Sequence, residues 1–245
     1  MERVQRTAET ERLRAALLTS ISHDLKTPLA SVLGSASTLR DLNDKLSDSQ
    51  KTELLATVIE ESERLNRFIA NLLDMTRLES GAVTPKLAPH DLSEIIGSTL
   101  QRTSKILRNH PVRLDLATDV PMVSLDPVLF EQVLFNLLDN AAKYAAPGTT
   151  VSIGTWRDRD SVVLQVIDEG EGIPEGDLEH IFDKFYRVQK TDQVRPGTGL
   201  GLAISRGFVE AMNGTIVAAN RPDRRGAVFT ITLPISREQP QEVAA

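Results

Sequence analysis

The sequence predicts an α+β protein: a helical hairpin that pairs with a second copy into a dimeric four-helix bundle, followed by a two-layer α/β sandwich. Three observations lead there. Apolar residues in the first third recur at helical spacing in two long runs, a stretch with two prolines and a glycine follows them, and the remainder switches repeatedly between helical and strand periods. A chain of 245 residues is long enough for two such domains.

From about Thr7 to Leu39, the stripe Leu13, Leu17, Ile21, Leu25, Leu29 and Leu33 predicts one helix. Pro28 lies inside it, where its ring removes a backbone donor and crowds the preceding turn, so a bend is expected just after His23. A polar break over Asp41–Asp48 precedes a second helix, in which Val58, Leu65 and Leu72 stand seven apart with Phe68 and Met75 interleaved, the seam of a coiled coil or bundle. Two helices alone bury two apolar stripes poorly, and that packing argument predicts the homodimer. Residues 1–80 are assigned to this hairpin and 81–90, containing Gly81, Pro85 and Pro89, to a linker.

The second domain, 91–237, is expected to open with a helix from Leu92 to Leu107, short strands Val112–Leu116 and Met122–Leu125, and a helix from Pro127 to Ala145. Strands Thr150–Arg157 and Ser161–Ile167 read as a hairpin through Asp158-Arg159-Asp160. A helix from Leu200 to Met212 and strands Thr215–Ala219 and Ala227–Leu233 complete the sandwich, and 238–245 read as a flexible tail.

A composition of 40% hydrophobic and 25% charged residues is that of globular protein. The net charge of -6, with no basic stripe, argues against a nucleic-acid surface. Without cysteine there is no disulfide, thiolate metal site or cysteine nucleophile, and His23, His90, His110 and His180 are too scattered for a zinc signature. No run approaches the roughly 20 apolar residues that span a bilayer, and Met1-Glu2-Arg3-Val4-Gln5-Arg6 lacks a signal-peptide core. The chain as given reads as cytoplasmic.

Four segments carry chemistry. In His23-Asp24-Leu25-Lys26-Thr27-Pro28, an imidazole largely unprotonated near neutral pH sits beside a carboxylate, an activated nucleophile for which a phosphoryl group is the natural electrophile. In Asn136-Leu137-Leu138-Asp139-Asn140-Ala141-Ala142-Lys143-Tyr144 the two amides lie one helical turn apart with Lys143 close behind. Carboxamide oxygens suit magnesium and the lysine suits phosphate, although the polar face of an amphipathic helix has the same pattern. Asp168-Glu169-Gly170-Glu171-Gly172-Ile173-Pro174 ends a strand with a carboxylate able to accept from an adenine amino group, beside glycines that admit the base. Gly197-Thr198-Gly199-Leu200-Gly201-Leu202 precedes a helix whose N-terminus can hold phosphates, or is an ordinary structural turn. Their occurrence in one order favours the chemical reading.

With these segments the sequence resembles the sensor histidine kinases of two-component signalling along essentially its whole length. Residues 23–28 are similar to the family's H box, 136–144 to its N box, 168–173 to its first glycine box and 197–202 to its second, while Ile181-Phe182-Asp183-Lys184-Phe185-Tyr186-Arg187 resembles its phenylalanine box. Ser22-His23-Asp24-Leu25, Asp126-Pro127-Val128-Leu129-Phe130-Glu131 and Asn220-Arg221-Pro222 are most similar to the potassium-responsive members.

The resemblance implies that the second domain binds ATP and shares the fold of gyrase and a heat-shock chaperone. It implies that His23 accepts the γ-phosphoryl group, that Asp24 orients the ring and helps take its proton, and that Thr27 positions water for dephosphorylating a regulator. It makes Asn140 a Mg2+ ligand, with Asn136 supporting the metal-phosphate site, Lys143 on phosphate, Tyr144 near the nucleotide and Asp168 on adenine. Gly170, Gly172, Ile173, Gly197, Thr198, Gly199, Leu200 and Gly201 would close the backbone around ATP, with Phe182, Phe185 and Arg187 in the lid. The implied partners are a second copy and the receiver domain of a response regulator, with a membrane reached only through a sensor region absent from this chain. Ala227 departs from the threonine or serine common near the adenine. The alternatives are a nucleotide-binding dimeric scaffold and a clamp-type ATPase without histidine phosphorylation. The hairpin with its histidine argues against both.

Overall fold

The computed structural model describes residues 25–188, 198–223 and 225–235. His23, Asp24, Gly197, the bend expected after His23 and the expected tail lie outside the described residues. The chain divides into two compact units between Asp74 and Met75.

The first unit is a helical hairpin. Helix α1 is described over 25–42, a 3-10 turn follows at Asn43–Lys45, and α2 runs over Asp48–Glu79, its last residues belonging to the second unit. Helix α2 starts where Ser47 and Gln50 cap each other: Gln50 N–H donates to Ser47 Oγ at 3.3 Å and Ser47 N–H to Gln50 Oε1 at 2.9 Å. The heptad residues Val58, Leu65 and Leu72 are half-buried and Phe68 is buried. A row of large aliphatic side chains stays open: Leu29 and Leu33, both in the stripe predicted for the first helix, with Leu55, Ile59, Ile69 and Leu73, which the sequence reading did not single out.

The second unit is a mixed five-stranded sheet with helices on one face. Strands β1 (Ala88–His90) and β3 (Val123–Leu125) form a small antiparallel ladder of their own. The main sheet contains β2 (Val112–Leu116), β4 (Val151–Asp158), β5 (Ser161–Ile167), β6 (Thr215–Asn220) and β7 (Ala227–Pro234), in the order β2-β4-β5-β7-β6. The β4–β5 hairpin turns as expected, pairing Asp158 with Ser161. Strand β2 instead lies parallel to β4, with Val112 opposite Val151, because a long connection containing a helix intervenes. The linker reading did not foresee β1, which at three residues carries no period to detect.

Helices α3 (Leu92–Thr103), α4 (Pro127–Tyr144) and α5 (Gly201–Ala211) form the second layer. Asp91 caps α3 through Ser93 N–H at 2.8 Å, and Asp126 caps α4 through Val128 N–H at 3.0 Å, with Pro127 in the first turn where its missing donor is harmless. The first helix of this domain ends at Thr103, four residues short of Leu107. The Thr99 and Thr103 hydroxyls bond back to the carbonyls of Ile95 and Thr99 at 2.8 Å, and the chain leaves through turns that still bury Leu107. Phe130, Leu134, Leu137, Leu138, Ile153, Leu164, Ile204 and Ile231 seal the core, each 1% exposed or less. No helix among the described residues is long and apolar enough to cross a membrane.

Candidate functional site

Asp168, just after β5, is a buried carboxyl of the second unit. Its Oδ1 accepts the Gly170 N–H at 2.8 Å and the Ala227 N–H at 3.2 Å, while its own N–H donates to the Ala227 carbonyl at 3.0 Å. Oδ2 takes no hydrogen bond among the described residues, and no buried side-chain oxygen there lacks a partner, so Oδ2 keeps an accessible face. Burial pushes the carboxyl above its ordinary range, against the pull of the two N–H groups and the Arg221 guanidinium. The result is a fixed acceptor with one oxygen anchored and the other available.

The glycines around it are required by close approach. A Cβ on Gly170 would meet the Tyr144 carbonyl at 2.7 Å and Asp168 Oδ1 at 2.9 Å. A Cβ on Gly226, at φ +140°, would meet the Asp168 carbonyl at 2.1 Å. The bridge between Ala145 and Gly170 joins the end of α4 to this segment. Residues 24 positions apart, Tyr144 and Asp168, thus come to one place.

Helix α4 presents the amides. Buried Asn136 donates through Nδ2 to the Gly201 carbonyl at 3.1 Å and to Ser205 Oγ at 3.3 Å, strapping α4 to the start of α5. Its Oδ1 makes no hydrogen bond among the described residues and, like Asp168 Oδ2, retains an accessible face. Asn140, one turn on, is half-buried and has no side-chain hydrogen bond among the described residues. The carboxamide oxygen of Asn136, beside the start of α5, and that of Asn140, one turn further along α4, are of the hard-oxygen type that magnesium prefers. Lys143 is paired with Asp139 on its own helix, so reaching a phosphate requires that pair to open.

Phe182 is buried edge-on to Phe229, with ring centroids 6.4 Å apart, and the Arg206 guanidinium lies 4.1 Å above its centroid. Phe185, at φ +62°, donates its N–H to the Gly199 carbonyl at 2.9 Å, and a Cβ on Gly199 would meet the Phe185 carbonyl carbon at 2.7 Å. Leu200 is buried and its N–H donates to Thr198 Oγ1 at 3.3 Å. Ile173 is half-buried and its backbone is held by Asn220; Arg187 is also half-buried. Thr27 is exposed on α1, in the first unit.

The structure therefore joins the 136–144, 168–173, 181–187 and 198–201 segments by direct hydrogen bonds, a bridge and close backbone contacts. Sequence reasoning missed Ser205, Gly226 and the role of Asn220. Ser205 stands four residues after Gly201, the one-turn spacing that would have suggested contact with the same face. His110 is buried with Nδ1 3.2 Å from the Thr149 carbonyl.

These features are those of a helical hairpin joined to an α/β sandwich with a buried polar site, and comparison with known proteins gives the family. Residues 125–237 match the domain described as histidine kinase-, DNA gyrase B- and HSP90-like ATPase, and residues 13–81 match the His Kinase A (phospho-acceptor) domain. The chain belongs to the sensor histidine kinases. It is 42% identical over 227 residues to Sensor protein KdpD of Clostridium acetobutylicum, covering 92% of this chain and 25% of that protein. The chain thus spans about a quarter of that relative's length. Among solved structures it is similar to histidine kinase AdeS of Acinetobacter baumannii, with a TM-score of 0.67 and 26% identity over 88% of this chain and 98% of that one. Full-length ShkA in complex with AMPPNP matches with a TM-score of 0.66 and 26% identity, covering 91% of this chain and 46% of that one.

Proposed function

We propose that this chain is the kinase portion of a two-component sensor, in which ATP bound by the second unit phosphorylates His23 and the group then passes to an aspartate of a response regulator. The observation that carries the reading is Asp168: a buried carboxylate, anchored by two N–H groups on one oxygen and open on the other, among glycines no side chain could replace. That is an acceptor for a nucleobase amino group. It occurs in a chain whose residues 13–81 match a phospho-acceptor domain. The ShkA neighbour holds an ATP analogue, which supports the same ligand here.

In this reading Asp168 Oδ2 accepts from the adenine amino group, and Asn136 and Asn140 offer carboxamide oxygens to Mg2+ and phosphate. The ion, when bound, neutralises charge on the transferring phosphoryl group. A ring nitrogen of His23 attacks the γ-phosphorus; the P–N bond forms as the bond to the bridging oxygen of ADP breaks, and the displaced ring proton goes to Asp24. Thr27, four residues after His23 in the sequence, positions water when the phosphorylated regulator is hydrolysed.

The open stripe Leu29, Leu33, Leu55, Ile59, Ile69 and Leu73 supports the homodimer: apolar side chains in a row along two helices are a surface awaiting a partner, and a second copy offers the same row. We assign the chain to the cytoplasmic side of its parent sensor, where ATP and the regulator are found.

The test is incubation with γ-labelled ATP and magnesium, comparing the chain with His23→Ala. Acid-labile, base-stable label on the wild type and none on a variant that still binds ATP is expected. Label persisting on the variant would refute the site, and hydrolysis without any phosphohistidine would favour a clamp-type ATPase.

A further inference from the structure

The stretch Asn220-Arg221-Pro222 ends β6, and nothing in the reaction above uses it. Asn220 reaches back 47 residues to the segment that carries Asp168. Its Oδ1 accepts the Ile173 N–H at 2.7 Å and its Nδ2 donates to the Ile173 carbonyl at 2.6 Å, so one carboxamide satisfies both backbone groups of one residue. A Cβ on Gly172, at φ +82°, would meet Asn220 Oδ1 at 2.7 Å, so a side chain at 172 and this clasp exclude each other.

The segment is held unevenly. At its near end Asp168 is pinned by Gly170 and Ala227, and Gly170 is bridged to Ala145. Beyond Gly170, Asn220 supplies the hydrogen bonds that hold residues 171–173 among the described residues, before the turn that begins at Pro174. The base-reading oxygen and the clasped residue are five positions apart on one loop. Release of the far end lets the wall beside Asp168 move away from the base without touching the phosphate-side residues Asn136 and Asn140.

We propose that Asn220 is a positioning residue for base recognition: its carboxamide latches the Asp168–Ile173 loop in the conformation that reads adenine. This rests on the nucleotide reading given above. The residue has no ionisable group, so its effect does not depend on pH. An aspartate in its place keeps the acceptor for Ile173 N–H, loses the donor, and sets a carboxylate against the Ile173 carbonyl.

The experiment is displacement of a fluorescent ATP analogue by ADP and by GDP from the whole chain, in wild type, Asn220→Ala and Asn220→Asp. Loss of two hydrogen bonds that order the site is expected to weaken ADP by about tenfold in Asn220→Ala. GDP should change little, so the preference for adenine falls by the same factor; Asn220→Asp should lie between. Unchanged ADP affinity, or equal weakening of ADP and GDP, overturns the proposal, because a merely structural defect would not discriminate between bases. If Asn220→Ala does not fold, Asn220→Asp carries the same comparison. A wild type that binds no ADP would refute the nucleotide reading itself, whereas a wild type that binds ADP with variants that match it refutes only the latch.

Discussion

The hairpin and the nucleotide domain bury their apolar residues by opposite means. In the hairpin six large aliphatic side chains, from Leu29 to Leu73, remain between 45% and 59% exposed, while in the second unit Phe130, Leu137, Ile204 and Ile231 are sealed completely. Two helices have too few faces to enclose one another, but a sheet layer covered by three helices closes on its own. The second unit can therefore spend polar side chains inside: Asp168, Asn136 and Ser205 are all buried. The comparison teaches where each function resides. The hairpin leaves apolar side chains open, which supports the proposed dimer, whereas the sandwich encloses its core and holds buried polar side chains in hydrogen bonds.

The sharpest way to break this division is at the amides. Asn140→Ala removes a proposed oxygen ligand without touching the core, and is expected to reduce autophosphorylation by at least about a hundredfold and greatly weaken Mg-ATP binding, as radiolabelling and titration would show. Normal activity would move the metal site elsewhere.

Next in size is assembly. Each of Ile69 and Leu73 would contribute about 1.5–3 kcal/mol when fully buried, and a two-fold interface uses each twice. Ile69→Glu with Leu73→Glu should convert dimer to monomer in sedimentation at micromolar concentration, while ADP binding by the second unit is unchanged. A dimer surviving both charges would show that this stripe is not the interface.

Thr27→Ala tests the hairpin's chemistry apart from its assembly. Labelling of His23 should persist while dephosphorylation of the regulator slows by roughly 10- to 100-fold, the scale on which a misplaced reactant loses rate. Equal dephosphorylation rates would remove Thr27 from the mechanism.

The smallest effect is a pH dependence of the ligand-free sandwich. Below the ordinary aspartate value of 3.8, Asp168 is neutral both folded and unfolded. As pH rises the unfolded chain ionises first, because burial holds the folded carboxyl higher, so this group's contribution to stability falls through the window between the two values and then levels. Asp168→Asn should lack that decline and melt a few degrees higher at neutral pH, on the scale of about 2–4 °C per kcal/mol for a domain of this size. Unchanged melting across that window would mean that the carboxyl is not strained by burial. Adenine preference should fall in the same variant.

Much of this was legible before any fold was drawn. The helical stripe where it is described, over 25–39, the heptad at Val58, Leu65 and Leu72 and the alternation in β4 and β7 are all interactions among near neighbours in the chain, so their periods appear directly in the sequence. The chemistry-bearing segments were legible for a related reason: glycines and amides at fixed spacing leave a local mark. The capping pair Ser47 and Gln50 was equally local and could have been read from its spacing.

By itself, then, the sequence determined that a helical hairpin precedes an α/β sandwich, and it singled out His23 and the amide- and glycine-bearing segments as the candidates for phosphotransfer chemistry. Tertiary structure alone decided that β2 runs parallel to β4, that β1 pairs with β3, that Asn136 is turned by Ser205 across 69 residues, and that Asn220 clasps Ile173 across 47. The physical reason is range. A period is written by residues a turn or a pleat apart, whereas a clasp between distant residues exists only once the sheet has closed the chain between them and brought a carboxamide within hydrogen-bond distance of a loop.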